Sequence, residues 1–82
     1  MTKEQRTALQ DYLTALLRKT DRDTDRLDKA EESGDEAKQT KIEMRLERTY
    51  AEIEGARRVL STLGHYVHYQ ADTNSYLILD DL

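Results

Sequence analysis

The sequence predicts a mainly α fold: an antiparallel two-helix hairpin, coiled-coil-like in its packing, with a short C-terminal β-hairpin or a docked extended tail. Three observations predict it. Apolar or small residues from Ile42 to Leu63 recur in alternating steps of four and three, the spacing of a helix that packs along another helix. Before residue 50 there is one strong helix-stop signal, at residues 32–35. The chain has no Pro, so long helices meet no obligatory break.

The first helix is expected over about residues 3–32. Thr2 and Gln5 have the spacing of a capping box, which places the start of the helix near residue 3. Residues 20–25 have low helix propensity and include no apolar side chain. Two alternatives therefore stay open for this segment, a continuous helix and a kink or local break.

The loop is predicted at residues 33–35 and the second helix at about 36–63. Gly34 can adopt the left-handed conformation that ends a helix. The following helix is capped either by Asp35 or by Ser33 acting with Glu36. A loop this short makes its two helices antiparallel neighbours.

The register of the two helices follows from folding the chain about this loop. Facing residues then have numbers that sum to 69. The resulting pairs are Ala30–Gln39, Leu27–Ile42, Asp23–Leu46, Thr20–Thr49, Leu16–Ile53, Leu13–Ala56, Leu9–Leu60 and Arg6–Leu63. Apolar residues meet at both ends and two threonines meet in the centre, so the two patterns support each other.

The C-terminal segment, residues 65–82, begins after a second helix-stop signal at Gly64. Aromatic and β-branched residues predict strands near 65–70 and 75–79, joined by a turn at 71–74 that contains Asp and Asn. The alternative is that the second helix continues to about Gln70, because Val67 keeps the helical spacing.

Composition limits the classes of function. The 82 residues are enough for one small domain, which we expect to span 1–82. The absence of Cys excludes disulfides and thiolate metal sites. No apolar run is long enough to cross a membrane, and residues 1–5 do not resemble a signal peptide, so we expect a cytoplasmic protein that does not associate with membranes.

The net charge and the order of charged residues along the sequence favour a protein partner over nucleic acid. The formal net charge is −4, and basic and acidic residues alternate along both predicted helices. A nucleic-acid-binding surface needs concentrated positive charge, which such alternation does not indicate.

A calcium loop is the first candidate site considered. Asp21, Asp23, Asp25 and Glu32 occupy four ligand positions of a twelve-residue EF-hand template. The position that requires Gly is Arg26, and the template needs a loop where the register predicts helix. We therefore expect a solvated helix face, with Asp25 pairing with Lys29.

Histidines offer the second candidate. His65 and His68 could share a helical face and bind a transition metal with Asp72, whereas on a strand their odd spacing puts them on opposite faces. No nucleophile stands at a telling distance from a base. We expect no enzyme, no metal and no cofactor.

The functional prediction is based on apolar residues that lie outside the helix–helix seam. They predict a non-enzymatic helical protein–protein interaction or assembly module, most economically a homodimer that forms a four-helix bundle. The predicted partner surface comprises Tyr12, Leu16, Leu17, Ala56, Val59, Leu60, Tyr66, Tyr76 and Ile78. Gly55 is either a tolerated weak point of the helix or a place where another backbone approaches closely. The alternative function is a small regulatory protein that contacts nucleic acid or a nucleic-acid enzyme through Arg45, Arg48, Arg57 and Arg58.

Overall fold

The computed structural model describes residues 1–80 as two helices followed by a β-hairpin. Helix α1 spans Lys3–Ser33, helix α2 spans Glu36–Thr62, strand β1 spans His65–Gln70 and strand β2 spans Ser75–Asp80. The predicted antiparallel helical hairpin is confirmed, and the C-terminal segment forms the β-hairpin rather than a continuation of α2. Asp81 and Leu82, the end of the predicted segment 65–82, lie outside the described residues.

Helix α1 begins as its first residues predict and continues without a break. The Thr2 hydroxyl accepts a hydrogen bond from the Gln5 amide at 3.1 Å, and the Gln5 side chain accepts one from the Thr2 amide at 2.9 Å. In the weak segment, the Thr20 and Thr24 hydroxyls donate to the carbonyl groups of Leu17 and Thr20. These threonines therefore satisfy their hydroxyl groups within the helix, and α1 has no break over residues 20–25.

The loop between the helices uses the predicted residues. Gly34 ends α1 with φ +71° and ψ 20°, a left-handed conformation that favours glycine. The Asp35 side chain accepts a hydrogen bond from the Lys38 amide at 3.1 Å, so Asp35 caps α2. Ser33 instead remains in α1, where its hydroxyl bonds the carbonyl of Ala30.

Contacts agree with the predicted register near the loop and among the apolar pairs of the terminal half, and they disagree at Arg6. Gln39 donates to the Ala30 carbonyl at 3.2 Å, as the first predicted pair requires. The buried residues of the two helices include both central threonines and Asp23. The pair Arg6–Leu63 is wrong, because Arg6 reaches strand β2 and Leu63 is 66% exposed where α2 ends.

The β-hairpin lies on one face of the helix pair, with β2 over α1 and β1 over α2. Val67 pairs with Ile78 in the antiparallel register, and both side chains pack on Leu13 and Leu60. This packing fixes the side-chain alternation, because a shift by one residue would turn the two apolar side chains outward.

Side chains of α1 seal the outer edge of β2. The Ile78 amide donates to the Gln10 side chain at 2.8 Å, and the Tyr76 amide donates to the Thr14 hydroxyl at 3.0 Å. An edge strand without such partners would expose a row of free backbone groups. The helix therefore both supports the hairpin and satisfies its edge.

Two halves of the molecule differ in what they bury. The terminal half comprises residues 1–17 and 53–80, and the loop half comprises residues 18–52. The terminal half buries the cluster of Leu13, Leu60, Val67 and Ile78. The loop half buries a smaller cluster of Ala30, Ile42 and Leu46 between the helices alone.

Candidate interaction surfaces

A shallow apolar groove runs between the two helices in the terminal half, on the face opposite the β-hairpin. Its volume is about 320 Å³. We call this feature the apolar groove, and its lining residues are Met1, Leu9, Tyr12, Leu13, Gly55, Ala56, Val59, Leu60 and Leu63. The hairpin covers the other face of the same helices, so this face has no covering element within residues 1–80.

The rim of the apolar groove is exposed and its floor is buried. Val59 is 59% exposed, and Met1, Tyr12 and Leu63 are also exposed. The Tyr12 hydroxyl donates to the Glu52 carboxylate at 3.2 Å, and this hydrogen bond raises the pKa of Tyr12. Tyr12 therefore stays a neutral, amphipathic rim residue across the physiological pH range.

Gly55 lies in the same groove with open space above it. A Cβ atom built there meets no atom within 4 Å, and the residue is exposed. The fold of the single chain therefore does not require a glycine at this position. The two readings of Gly55, a tolerated weak point and a close approach by another backbone, both stay open.

Three of the nine predicted partner-surface residues lie on the rim or wall of the groove, and two lie in the core. Tyr12, Ala56 and Val59 line the groove at the surface. Leu60 forms its floor and is only 5% exposed, and Ile78 is 1% exposed beneath the hairpin. Leu60 and Ile78 are therefore core residues of the single chain, because the hairpin docks on the helices and buries both.

The other four predicted residues are divided among different surroundings. Leu16 and Leu17 are half-buried on α1, outside the groove. Tyr66 lies exposed on the outer face of the hairpin, with its ring centroid 6.2 Å from that of His68. Tyr76 is half-buried beneath the hairpin, where burial raises its pKa. The structure does not bring these residues together with the groove.

The predicted partner surface lacks five groove residues: Met1, Leu9, Leu13, Gly55 and Leu63. The sequence analysis assigns Leu9, Leu13 and Leu63 to the helix–helix seam. Gly64, with φ +84°, is the signal that Leu63 could lie outside the seam, because a helix that ends there no longer packs its last residue against the other helix. Met1 precedes the helix and has no periodic signal.

Positive charge gathers on the same face as the apolar groove, but in the loop half. From Tyr12 along α1, alternating steps of three and four residues lead to Lys19, Arg22, Arg26 and Lys29. From Gly55 back along α2, the same steps lead to Arg48, Arg45, Lys41 and Lys38. All eight are exposed. We call these eight residues the basic patch.

Seven exposed acidic residues of the loop half lie on the other face, which carries the hairpin in the terminal half, whereas Glu52 lies on the patch side and accepts a hydrogen bond from Tyr12. On α1, steps of three and four residues from Thr14, which contacts the hairpin, lead to Asp21, Asp25, Asp28 and Glu32. On α2, the same steps back from Ser61, which flanks the hairpin, lead to Glu47, Glu43 and Glu36. Signs that alternate along the chain are therefore separated around the helices. The argument from alternation against a concentrated basic surface does not hold, because exposed side chains three and four residues apart share a face.

The basic patch has little internal neutralisation. Within residues 1–80, Arg26 is the one member that pairs with a carboxylate, at 3.2 Å from Asp23. The predicted Asp25–Lys29 pair is absent from the described ion pairs. Asp23 itself is 1% exposed, and its second carboxylate oxygen has no hydrogen-bond partner.

The four arginines predicted as one basic side of the second helix belong to two surfaces. Arg45 and Arg48 belong to the basic patch. Arg57 and Arg58 lie beside β1 on the hairpin side, and Arg57 is 3.6 Å from Glu54. The four arginines do not share one face, because the steps of three and four residues that connect Arg45 and Arg48 with Gly55 pass by Arg57 and Arg58.

The metal candidates do not assemble into a site. The residues of the calcium template lie within the continuous helix α1, which leaves no loop to surround a cation. His65 and His68 lie on opposite faces of β1. His65 Nδ1 is 3.1 Å from Asp80 Oδ1, and the two residues face each other across the strands. No group of three or more His, Asp or Glu side chains with metal-binding geometry occurs in residues 1–80.

Comparison of this chain with protein-family models, with curated proteins and with solved structures finds no match. Among residues 1–80, neither helix combines the length and the apolar character that a membrane-crossing helix needs. The features of the molecule that indicate a function are its two surfaces, the apolar groove and the basic patch.

Proposed function

We propose that this chain is a non-enzymatic helical protein–protein interaction module that forms a homodimer through the apolar groove. The observation that supports the proposal is the exposed rim of the groove, Met1, Tyr12, Val59 and Leu63, on a face that the chain's own hairpin leaves uncovered. Contiguous apolar patches on small proteins mark interaction surfaces more often than isolated exposed residues do.

Burial of the rim supplies the driving force. Moving an exposed Val, Leu or Met side chain out of water contributes about 1.5–3 kcal/mol when burial is complete. In a twofold dimer each rim residue contributes twice, because both copies present the same patch. This gain must exceed the cost of association, which begins at about 4 kcal/mol at standard concentration.

Charge selects the arrangement of the two copies. A parallel dimer with full overlap would place one basic patch against the other, and the like charges would repel. A full antiparallel overlap would place each basic patch against an apolar groove and leave its charges without partners. We therefore propose an antiparallel dimer in which only the terminal halves overlap and both basic patches remain open to solvent.

The decisive experiment is sedimentation equilibrium on the chain and two charge variants. Val59→Glu introduces a carboxylate at the rim of the groove. Met44→Glu is the matched control, because Met44 lies on the same helix and is 54% exposed in the loop half. We expect the parent chain and Met44→Glu to form dimers, and Val59→Glu to shift to monomers with a dissociation constant at least about ten-fold weaker.

Helical circular dichroism shows whether each variant remains folded, and exposed substitutions of this kind are expected to leave the helices intact. A parent chain that stays monomeric at millimolar concentration overturns the proposal. Equal weakening by both variants places the interface elsewhere on the molecule.

A further inference from the structure

We propose that the basic patch binds the phosphate backbone of a double-stranded nucleic acid without sequence preference. The patch stands on a different half of the molecule from the apolar groove, and this proposal does not depend on self-association. Its starting point is the separation of charge: one face of the loop half carries eight exposed cations, while seven exposed acidic residues of the same helices lie on the other face.

The dimensions of the patch suit a charged backbone. On each helix the first and last of the four cations are ten residue steps apart, or about 15 Å at 1.5 Å per residue. Two such rows lie side by side, because α1 and α2 pack against each other along their length. Duplex nucleic acid presents one negative charge per about 1.7 Å of its axis, so a contact of this length meets several phosphates.

A protein partner fits the basic patch less well. Protein interfaces have an apolar centre surrounded by a polar rim. Met44 is exposed beside Lys41, Arg45 and Arg48, but one methionine among eight cations does not form an apolar centre. A surface dominated in this way by charge favours a ligand whose recognition needs charge alone.

Single-stranded nucleic acid is disfavoured for a different reason. Proteins that bind single strands stack the bases on exposed aromatic rings. The tyrosines lie elsewhere: Tyr12 is in the apolar groove, Tyr66, Tyr69 and Tyr76 are on the hairpin, and Tyr50 is close enough to Tyr76 to affect its pKa. The patch therefore contacts the backbone and has no means of reading bases.

The net charge of −4 does not remove this interaction, but it shapes it. Because those seven acidic residues lie on the opposite face, the chain has a charge asymmetry that turns the basic patch toward a polyanion. The screening length falls from about 30 Å at 0.01 M salt to about 10 Å at 0.1 M, so binding should be strong only at low ionic strength.

The test is fluorescence anisotropy with labelled duplexes of about 20 base pairs, one DNA and one RNA, in about 50 mM salt. The variant Lys41→Gln/Arg45→Gln removes two cations from the patch. The matched control, Arg57→Gln/Arg58→Gln, removes two cations from the same helix on the hairpin side and changes the net charge equally. A nearly equal loss of affinity in both variants would show that net charge alone acts.

We expect the patch variant to weaken duplex binding by about ten-fold and the control by less than about two-fold. The slope of log affinity against log salt should also fall by about two in the patch variant, because each lost phosphate contact removes about 0.9. Binding of both duplexes identifies the shared backbone as the ligand, whereas binding of one identifies DNA or RNA as the source.

Three outcomes overturn the proposal. The first is no binding of either duplex in about 50 mM salt. The second is equal weakening by the two double variants. The third is preferential binding of polyglutamate or of phosphatidylserine vesicles in competition, which would assign the patch to an acidic protein or to a membrane surface instead. Helical circular dichroism of each variant confirms that the hairpin remains folded.

Discussion

The two halves of this helical hairpin solve the problem of a small core in different ways. The terminal half adds a third layer, the β-hairpin, and buries Leu13 and Leu60 against Val67 and Ile78. The loop half has no third layer and buries Ile42 and a few neighbours between two helices. Chains of this length have a limited core, so stability should be concentrated where the extra layer lies.

The difference also divides the surfaces. In the terminal half, the hairpin occupies one face and leaves an apolar groove on the other. In the loop half, both faces are charged, one basic and one acidic. At the end of the loop half nearest the terminal half, Thr20, Asp23 and Thr49 are buried in the seam. The comparison therefore predicts that the halves differ in stability, in response to charge and in the partners they bind.

The largest expected effect comes from the same substitution made in each half. Leu13→Ala removes a fully buried side chain from the three-layer cluster, and Leu46→Ala removes a side chain that is 8% exposed from the two-layer cluster. Leu-to-Ala changes in cores cost about 2–5 kcal/mol, more where the surroundings cannot collapse. We expect a cost of about 4 kcal/mol for Leu13→Ala and about 2–3 kcal/mol for Leu46→Ala in urea unfolding. An equal or greater cost at Leu46 would contradict the ranking of the two halves.

The second prediction concerns the buried carboxylate at the centre of the seam. Asp23 faces Leu46 in the register, and one of its oxygens has no partner. Replacing a poorly satisfied buried charge by an apolar side chain often stabilises a fold. We expect Asp23→Leu to raise the free energy of unfolding by about 1–3 kcal/mol. Asp25→Leu, at an exposed position on the same helix, is the control for helix propensity and should change stability by less than about 0.5 kcal/mol.

Asp23 also shows how much of the fold could be read from the sequence. The steps of four and three placed it in the seam although its chemistry argued for solvent, and the structure buries it there. The spacing predicts its position correctly because the apolar residues before and after Asp23 on the same helix face pack against the other helix and bury that face. The capping residues and Gly34 were equally predictable, since their signals are local.

The candidate surfaces were less predictable, because they depend on where the hairpin docks. The sequence analysis assigns the apolar residues Leu60 and Ile78 to a partner surface, yet the tertiary fold packs them in one buried cluster. Leu63 shows the reverse: its spacing predicted burial, but the helix ends and leaves it exposed. The basic residues recur at steps of three and four, which indicates a shared helix face. The order of charges along the chain alone does not reveal this patch.

A smaller effect is expected at Gly55, in the groove wall of the terminal half. A Cβ atom there meets no neighbour, so Gly55→Ala should add about 1 kcal/mol to stability through helix propensity. Gly34→Ala is the opposite control, because its φ of +71° disfavours a side chain and the variant should lose stability. Thermal unfolding of dilute protein measures both. A loss of stability at Gly55 would mean that the protomer itself needs this glycine.

The smallest expected effect is an acid sensitivity confined to the terminal half. Arg6 donates to the Ile78 carbonyl at 2.6 Å and to the Asp80 carboxylate at 2.7 Å, which holds strand β2 on α1. The hydrogen bond and charge of Arg6 lower the pKa of Asp80, and His65 lowers it further. A carboxyl whose pKa is lower in the folded state stabilises that state above its unfolded pKa of about 3.9 and loses this contribution as the pH falls through the folded value.

The hairpin should therefore loosen from the helices as the pH falls below about 4, while the far ends of the helices near Gly34 keep their packing. Amide hydrogen exchange resolves the two regions in one experiment, and Asp80→Asn should remove the pH dependence at β2. The change should be modest because Asp80 is exposed and solvent screens its ion pair. Equal acid loosening around Ile42 would show that the two halves respond as one unit, and the division between them would then apply to composition but not to stability.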